Sequence, residues 1–280
     1  MNFAVSNIAW PASQRLASYE VLEKHSIQGL EIAPGLFFEG AEDVFRPEAS
    51  LLRARLAETD ARGLRLVSMQ SLLFGVAGAA LFEDTGALAR LEEGIVRAIE
   101  LAERLDIPNL VFGSPKQRVV PLGMDLHEAQ KRAGEIFVRL GDRAVAAGTV
   151  IAMEANPKEY GTNFLNRSED VLDFVTVLDH PGVRMVLDIG ATRINGGIDR
   201  IPQLIAKTTP VLSHVHISEP FLAPAPSDAS LTAEILSALT AVDYARFVSI
   251  EMKATKKTPV DSMTGALERL LEAAQIARAG

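Results

Sequence analysis

Four short, mostly apolar runs in the second half of the chain each end in a side chain that can bind a metal ion. In chain order, VIAM precedes Glu154, RMVL precedes Asp188, SHV precedes His216 and VSI precedes Glu251. Three carboxylates and one imidazole form an oxygen-rich donor set, which favours Mn²⁺, Mg²⁺ or Co²⁺ and also permits Zn²⁺. We therefore predict one bound divalent ion, with Mn²⁺ as the first candidate. The alternative interpretation is a structural cluster of charges.

The elements that must position these residues alternate along the whole chain. β-Branched or apolar runs occur eight times, with amphipathic stretches between them, and the clearest helices are predicted at 86–105 and 261–276. The predicted strands cover 3–8, 29–33, 64–70, 109–113, 150–156, 184–190, 212–218 and 247–253.

Eight strand–helix units without a linker-like break predict one α/β domain over residues 1–280, a (β/α)8 TIM barrel. A doubly wound open sheet is the structural alternative. In a parallel barrel, the four metal-binding candidates all lie at the C-terminal face, where strands about 4.8 Å apart let them converge on one ion. Segments 71–86 and 219–230 exceed usual strand-to-helix connections, which indicates functional loops.

Composition narrows the class of partner. The 28 Lys+Arg and 36 Asp+Glu give a net charge of −8, which argues against duplex nucleic acid or an anionic membrane as a partner. The absence of cysteine removes disulfides, thiolate nucleophiles and Cys-ligated clusters. There is neither a signal-peptide pattern nor an apolar run near the roughly 20 residues of a membrane span. We expect a cytoplasmic protein that acts on a small molecule, and a homodimer or homotetramer stays open.

Four stretches carry a resemblance to a known family. They are MEANPKEYGTNF (153–164), VLDIGAT (186–192), HVHISE (214–219) and SIEMK (249–253). Their order and spacing resemble the xylose isomerase-like TIM barrels, a group of sugar (phosphate) isomerases and epimerases that includes AP endonuclease family 2-type enzymes. The resemblance covers nearly the whole chain. It implies that one divalent ion is bound by the four positions Glu154, Asp188, His216 and Glu251.

The resemblance also implies a reaction. It assigns Glu154 and Glu251 as the acid and base that flank the substrate, with Asp188 and His216 as anchoring ligands. Moving a proton beside a sugar carbonyl needs a Lewis acid together with a base and an acid, which is consistent with this assignment. The expected function is a metal-dependent isomerase or epimerase of a sugar or sugar derivative, phosphorylated or acidic ones included, that works through an enediolate.

Strand alternation nominates three candidate substrate-binding residues. His214 lies two residues before His216 and points the same way, one layer deeper, so it is either a partner of the ligands or a hydrogen-bonded core histidine. Asn156 and Lys253 each follow a predicted acid/base glutamate by two residues and are expected at the rim. Lys253 is either a substrate contact or a surface lysine.

Five other residues have both a functional and a structural interpretation. Lys116 and Arg118 follow the fourth strand and are expected either to bind a substrate carboxylate or phosphate, or to be loop charges without a role. Glu219 completes the HISE pattern and either orients neighbouring groups or is solvated. Glu31 lies inside the second strand as a polar interior residue or an ion-pair partner. Trp10 is expected to pack in the core or beside a sugar ring.

Two positions depart from the ketose 3-epimerases of this family. Those enzymes have a histidine three residues after the sixth-strand aspartate and an arginine six residues after the seventh-strand histidine, where this chain has Ala191 and Leu222. A substrate of different shape or charge is therefore expected, with Arg193, Lys116 or Arg118 as substitute cations. The five histidines and the charge of −8 argue against the DNA-repair branch and its three-zinc cluster. A dehydratase of a polyol ketone and a non-catalytic metal- or sugar-binding subunit are the alternatives.

Overall fold

Eight parallel strands close into a barrel in the computed structural model, which describes residues 1–279. Each strand pairs with the next along the chain, and the last pairs with the first. The closure excludes the open doubly wound sheet and confirms the predicted (β/α)8 barrel. The strands are β1 (Asn2–Ser6), β2 (Gly29–Ile32), β3 (Arg65–Met69), β4 (Leu110–Phe112), β5 (Ile151–Glu154), β6 (Val183–Asp188), β7 (Leu212–Ser218) and β8 (Phe247–Glu251).

Helices follow the strands around the outside of the barrel. Within residues 1–279 they are α1 (Arg15–Lys24), α2 (Pro34–Phe37), α3 (Ala49–Asp60), α4 (Thr85–Arg104), α5 (Leu126–Ala146), α6 (Ser168–Leu178), α7 (Ile189–Ile194), α8 (Ile201–Thr208), α9 (Ala229–Ala241) and α10 (Pro259–Ala279). Short 3₁₀ turns cover Asn7–Ala9, Ala12–Gln14, Pro115–Arg118, Lys158–Tyr160, Ile198–Arg200 and Pro220–Leu222. In this described part of the chain, no helix combines the length and the apolar character that crossing a bilayer requires.

Helices α4 and α5 each begin after an aspartate whose side chain accepts a hydrogen bond from a free backbone N–H group. The Asp84 carboxylate accepts a hydrogen bond from the Ala87 N–H, and the Asp125 carboxylate accepts one from the Glu128 N–H. Each helix then buries one apolar face against the sheet. The predicted helices at 86–105 and 261–276 correspond to α4 and α10 and are confirmed.

The main core lies between the strands and the helices. Alternate strand residues point outward into it, as Phe112 does when it packs edge-on against Phe137 of α5 at 5.0 Å between ring centroids. The intervening residues point into the barrel, where Val111, Ala152 and Val186 form a small separate apolar cluster. Trp10 is buried and packs edge-on against Tyr19, so the structure places it in the core.

Seven of the eight predicted strands extend one or two residues beyond the observed ends, and β7 ends at the predicted residue. Strands predicted at 150–156, 184–190 and 247–253 end at Glu154, Asp188 and Glu251. The reason is clearest at β6, where the Asp188 side chain accepts a hydrogen bond from the Ala191 N–H and so begins α7. The polar residue at each strand end is therefore also the point at which the chain leaves the sheet.

Candidate functional site

Four side chains converge at the C-terminal ends of β5 to β8. Glu154, Asp188, His216 and Glu251 each offer one ligating atom, and these atoms all lie within 4.8 Å of one another. His216 Nδ1 lies 3.0 Å from Glu154 Oε1, 3.3 Å from Glu251 Oε2 and 3.7 Å from Asp188 Oδ2. We call this group the four-residue cluster.

Strand register brings these residues together. Asp188 of β6 is paired with His216 of β7, and Ser218, two residues further along β7, is paired with Glu251 of β8. Glu154 is the last residue of β5. Because side chains alternate along a strand, these partners all point into the barrel at nearly the same height.

The four-residue cluster fits a divalent cation by its donor chemistry. Ligands that bind Mn²⁺, Mg²⁺ or Zn²⁺ lie about 2.0–2.3 Å from the ion and hence roughly 3–4.5 Å from one another. The three distances from His216 Nδ1, between 3.0 and 3.7 Å, fall in that range. Carboxylate oxygens and one imidazole nitrogen are the ligands that such ions prefer.

The other nitrogen of His216 faces a fourth carboxylate, that of Glu31. His216 Nε2 donates to Glu31 Oε2 at 3.1 Å, and both side chains are fully buried. Burial alone would lower the pKa of His216, but the charges of Glu251 and Glu31 hold that pKa well above its usual range. Burial would raise the pKa of Glu31, yet the charge of His216 holds it well below. A carboxylate behind a metal-binding histidine fixes the orientation of the imidazole.

Gln70 forms a hydrogen-bonded bridge between Glu31 and Glu251. Its amide Nε2 donates to Glu31 Oε1 at 2.8 Å and to Glu251 Oε1 at 2.9 Å. Burial raises the pKa of Glu251 well above its usual range, and the charges of Glu154 and Asp188 add to the rise against the opposing charge of His216. Glu31 is thus an interior hydrogen-bond partner rather than a residue that lines the cavity.

Asp188 is held from two sides. Its Oδ1 accepts the Ala191 N–H at 2.5 Å, and its Oδ2 accepts the Ser218 hydroxyl at 2.8 Å. The same Ser218 oxygen accepts the Gly190 N–H at 2.8 Å. These contacts leave the Asp188 carboxylate little freedom to turn away from His216.

His214 lies below the four-residue cluster rather than in it. Its Nε2 is 3.1 Å from Glu31 Oε2, without the alignment of a hydrogen bond. Burial is the main reason that the pKa of His214 is lowered. Because it is buried and absent from the cavity wall, it stands as an interior neighbour of Glu31.

Arg118 and Lys116 do not line the cavity. Arg118 is completely buried, and its Nη2 donates to the backbone carbonyl of Glu154 at 2.7 Å. Burial lowers the pKa of Arg118 to about 10, so the guanidinium keeps its charge at neutral pH. Lys116 is exposed on the same 3₁₀ turn, Pro115–Arg118, and Gln117 lies on the cavity wall between the two.

The remaining three candidates all line the cavity. Asn156 is buried, and its Nδ2 donates to Glu154 Oε2 at 3.1 Å. Glu219 accepts a hydrogen bond from Arg193 Nη1 at 2.7 Å and another from the Ser227 N–H at 3.1 Å. Its carboxylate is therefore fixed by protein contacts rather than solvated. Lys253 is exposed, and its ammonium is the one lysine or arginine charge among the described lining residues.

The cavity above the four-residue cluster has a volume of about 410 Å³. Glu154, Asp188 and Glu251 lie on its wall together with Ala191 and Leu222, the two positions that depart from the ketose 3-epimerase pattern. The loops expected to be functional contribute as well. The β3–α4 loop supplies Ser71, Leu73 and Phe74, and the β7–α9 loop supplies Glu219, Phe221 and Leu222.

Sequence reasoning missed Gln70 and Ser218 as parts of the site. Both carried the signal that identified the four metal-binding candidates, a polar residue at the end of an apolar strand: Gln70 directly follows β3, and Ser218 is the last residue of β7. Their side chains are neutral, and a neutral amide or hydroxyl is not among the preferred ligands of the divalent ions predicted here. Phe74 and Phe221 carried no such signal, since their loops have no regular period.

Comparison with known proteins agrees with the barrel fold. Solved structures with the same fold include D-psicose 3-epimerase of Clostridium cellulolyticum H10 in complex with D-tagatose, at 17% identity and a TM-score of 0.78 over 98% of this chain and 99% of that one. The apo form of 3-keto-D-glucoside 4-epimerase of E. coli matches at 18% identity and a TM-score of 0.78, over 97% and 99% of the chains. The probable 3-DHS dehydratase of Bacillus anthracis matches at 13% identity and a TM-score of 0.68, over 97% and 99%.

Curated protein sequences give no significant match. The family model described as "Xylose isomerase-like TIM barrel" matches residues 20–275, which is most of the chain. This match confirms the resemblance found in the sequence motifs. The chain belongs to the xylose isomerase-like TIM barrel family.

Proposed function

We propose that the protein is a divalent-metal-dependent isomerase or epimerase of a sugar or sugar derivative. The observation that carries the proposal is the four-residue cluster, in which two of the four ligating groups are glutamates on the wall of the same cavity. Glu154, Asp188, His216 and Glu251 would hold the ion, with Mn²⁺ as the first candidate and Mg²⁺, Co²⁺ or Zn²⁺ as alternatives. When bound, such an ion polarises a carbonyl and stabilises negative charge that develops on its oxygen.

Glu154 and Glu251 are the proposed acid/base pair. They end β5 and β8, three strands apart, and so reach the cavity from different sides. One carboxylate removes the proton from the carbon beside the substrate carbonyl, which leaves an enediolate, and the other carboxyl returns a proton. Return to the former carbonyl carbon, with the hydroxyl proton passing from the neighbouring oxygen to the former carbonyl oxygen, is isomerisation. Return to the opposite face of the same carbon is epimerisation.

Neighbouring residues keep this pair in place and contact the substrate. Asn156 donates to Glu154, and Gln70 donates to Glu251, so each glutamate has a neutral amide that fixes one of its oxygens. We propose Asn156, Lys253 and Glu219 as substrate contacts because they line the cavity. Arg118 and His214 would act indirectly, through the Glu154 backbone and through Glu31 respectively.

Exchange of substrate hydrogen with solvent deuterium tests the proposal. The metal-loaded protein is incubated in D₂O with a panel of ketoses, keto-glycosides and sugar phosphates, and NMR follows the C–H signals beside the carbonyl. We expect exchange with at least one sugar, and its loss in Glu154→Gln and Glu251→Gln. Asp142→Asn, which changes an exposed acid on α5, is the control.

Two other outcomes identify the alternatives. Release of water with a new enone absorbance would establish a dehydratase, the activity named for one structure of the same fold. Sugar binding without exchange or loss of water would establish a non-catalytic binding subunit. Either result would contradict the proposed isomerase or epimerase.

A further inference from the structure

The cavity wall has little positive charge to offer an anionic substrate. Its described lining residues include four acids and a single cation, Lys253; the acids are Glu154, Asp188, Glu219 and Glu251. A sugar phosphate brings up to about two negative charges at neutral pH. In the metal-free protein these charges would be repelled by nearby carboxylates that are only weakly screened. With an ion held by three of the acids, Lys253 remains the one lysine or arginine charge among the described lining residues that could receive a phosphate.

The other cations near the cavity are committed elsewhere. Arg118 is buried behind the wall and donates to the Glu154 carbonyl at 2.7 Å. Arg193 donates to Glu219 at 2.7 Å, and Lys116 is exposed outside the wall. None of the three is directed at the cavity, where phosphate recognition would need a bidentate arginine or several converging donors.

Neutral polar groups are plentiful on the same wall. Amides and hydroxyls there can both donate and accept hydrogen bonds, which suits the hydroxyl groups of an uncharged sugar. The side chains concerned are Gln70, Ser71, Ser114, Gln117, Asn156 and Tyr160.

Two phenylalanines flank the entrance to the cavity. Phe74 is 56% exposed and Phe221 is 61% exposed, and both line the cavity. They belong to the loops after β3 and β7, which lie four strands apart in the eight-strand barrel and so on opposite sides of it. We call Phe74 and Phe221, with Tyr160, the aromatic mouth.

Both phenylalanine rings are held in place although they are exposed. The Phe74 ring lies against Gly35, where an added Cβ would come within 2.9 Å of ring carbons. Phe221 has a left-handed backbone conformation, with φ 60° and ψ 24°, which is costly for a bulky residue. Its N–H donates to the Tyr160 hydroxyl at 3.0 Å, and the two rings pack edge-to-face at 5.7 Å. The fold thus maintains an exposed apolar surface at the entrance to a polar cavity.

From these observations we infer that the substrate is an uncharged sugar that carries a second ring, either another sugar or an aromatic aglycone, and is not a sugar phosphate. The sugar that reacts occupies the polar cavity above the four-residue cluster, and the second ring packs against the aromatic mouth. Aromatic side chains favour such contacts with the apolar face of a ring. The inference rests on the proposed function, whose substrate class it narrows.

Calorimetric binding of three probes tests the inference: phenyl β-D-glucopyranoside, methyl β-D-glucopyranoside and D-glucose 6-phosphate. The full chain is used both loaded with Mn²⁺ and treated with chelator. We expect the phenyl glucoside to bind about threefold to tenfold more tightly than the methyl glucoside, and more tightly than the phosphate, in both preparations. Phe74→Ala and Phe221→Ala should each weaken binding of the phenyl glucoside about threefold or more and leave the methyl glucoside unchanged.

Leu122→Ala, which shortens a fully exposed side chain away from the cavity wall, is the matched control and should change no affinity. Circular dichroism melting checks that all variants fold. Tighter binding of glucose 6-phosphate in either preparation overturns the inference, as does an equal loss for both glucosides in the phenylalanine variants. Failure of both glucosides to bind also overturns it. Deuterium exchange is measured separately. Exchange with a sugar phosphate would contradict this inference but would still support the proposed isomerase or epimerase reaction.

Discussion

The inner end of the cavity is built from strand residues, whereas its mouth is built from loop residues. His216 and Glu31 are fully buried and bonded to each other, and strand pairing sets their height in the barrel. Phe74 and Phe221 are more than half exposed and depend on a few local contacts. Under the proposed function, the difference separates two tasks. Proton transfer needs groups held within fractions of an ångström, whereas substrate choice can vary with the loops on a constant barrel.

Removing one of the proposed metal ligands is the strongest test of the inner end of the cavity. His216→Ala and Glu154→Ala should abolish metal-dependent stabilisation, which for an ion at 100 times its dissociation constant is about 2.7 kcal/mol. Thermal unfolding of chelator-treated protein with and without Mn²⁺, Mg²⁺, Co²⁺ or Zn²⁺ measures it. His127→Ala, which removes an exposed histidine of α5, should keep the full response. A folded wild-type protein that responds to none of these ions would make the four-residue cluster a structural charge cluster.

Changing the Glu31 carboxylate behind His216 tests whether metal affinity depends on a residue that does not itself contact the ion. Glu31→Gln keeps an oxygen that can accept from His216 Nε2 but removes the charge, so metal affinity should fall about 10- to 100-fold. Calorimetry measures the affinity, and the ¹⁵N shifts of His216 in metal-free protein report the changed imidazole. Glu39→Gln, at an exposed glutamate, should do neither. Unchanged affinity together with unchanged shifts would show that Glu31 only fills space.

A smaller effect is expected from the hydroxyl that holds Asp188. Ser218→Ala removes a donor to Asp188 and leaves the buried Gly190 N–H without its acceptor, which should cost about 1.5 kcal/mol of unfolding free energy. Urea unfolding measures this loss. Ser213→Ala, on the same strand, removes one hydrogen bond to a carbonyl and should cost less. Equal losses would mean that Ser218 is no better connected than an ordinary buried serine.

Breaking the ion pair at the start of the β7–α9 loop should cause the smallest change in stability. Arg193→Ala breaks the ion pair with Glu219, and because the arginine side chain is 33% exposed, the loss should stay below about 1 kcal/mol. The released Glu219 should let the β7–α9 loop open more often. Hydrogen exchange at the Ser227 N–H, which donates to Glu219, should therefore become faster. Amides in β7 are the internal reference, and a parallel acceleration there would contradict a local effect.

Much of the barrel was predictable because its signals are periodic. Eight apolar runs separated by amphipathic stretches predicted the eight strands, and α4 and α10 fall within a few residues of their predicted bounds. The ends of the site strands were placed two residues too late, since the strands predicted to continue to 156, 190 and 253 stop at Glu154, Asp188 and Glu251. Hydrophobicity cannot locate these ends, because a local hydrogen bond such as that from Ala191 to Asp188 decides them.

The sequence by itself determined which side chains can bind a metal ion and on which face of the barrel they lie. Strand alternation and the parallel order of the strands are enough for that, because both follow from the chain's own period. Only the tertiary structure decided which distant residues these side chains contact. It placed Arg118 behind Glu154 instead of in the cavity, joined Glu31 of β2 to His216 of β7, and brought the β3–α4 and β7–α9 loops to one cavity. These contacts join residues 36 to 185 positions apart, and no local pattern records which distant groups closure of the barrel brings into contact.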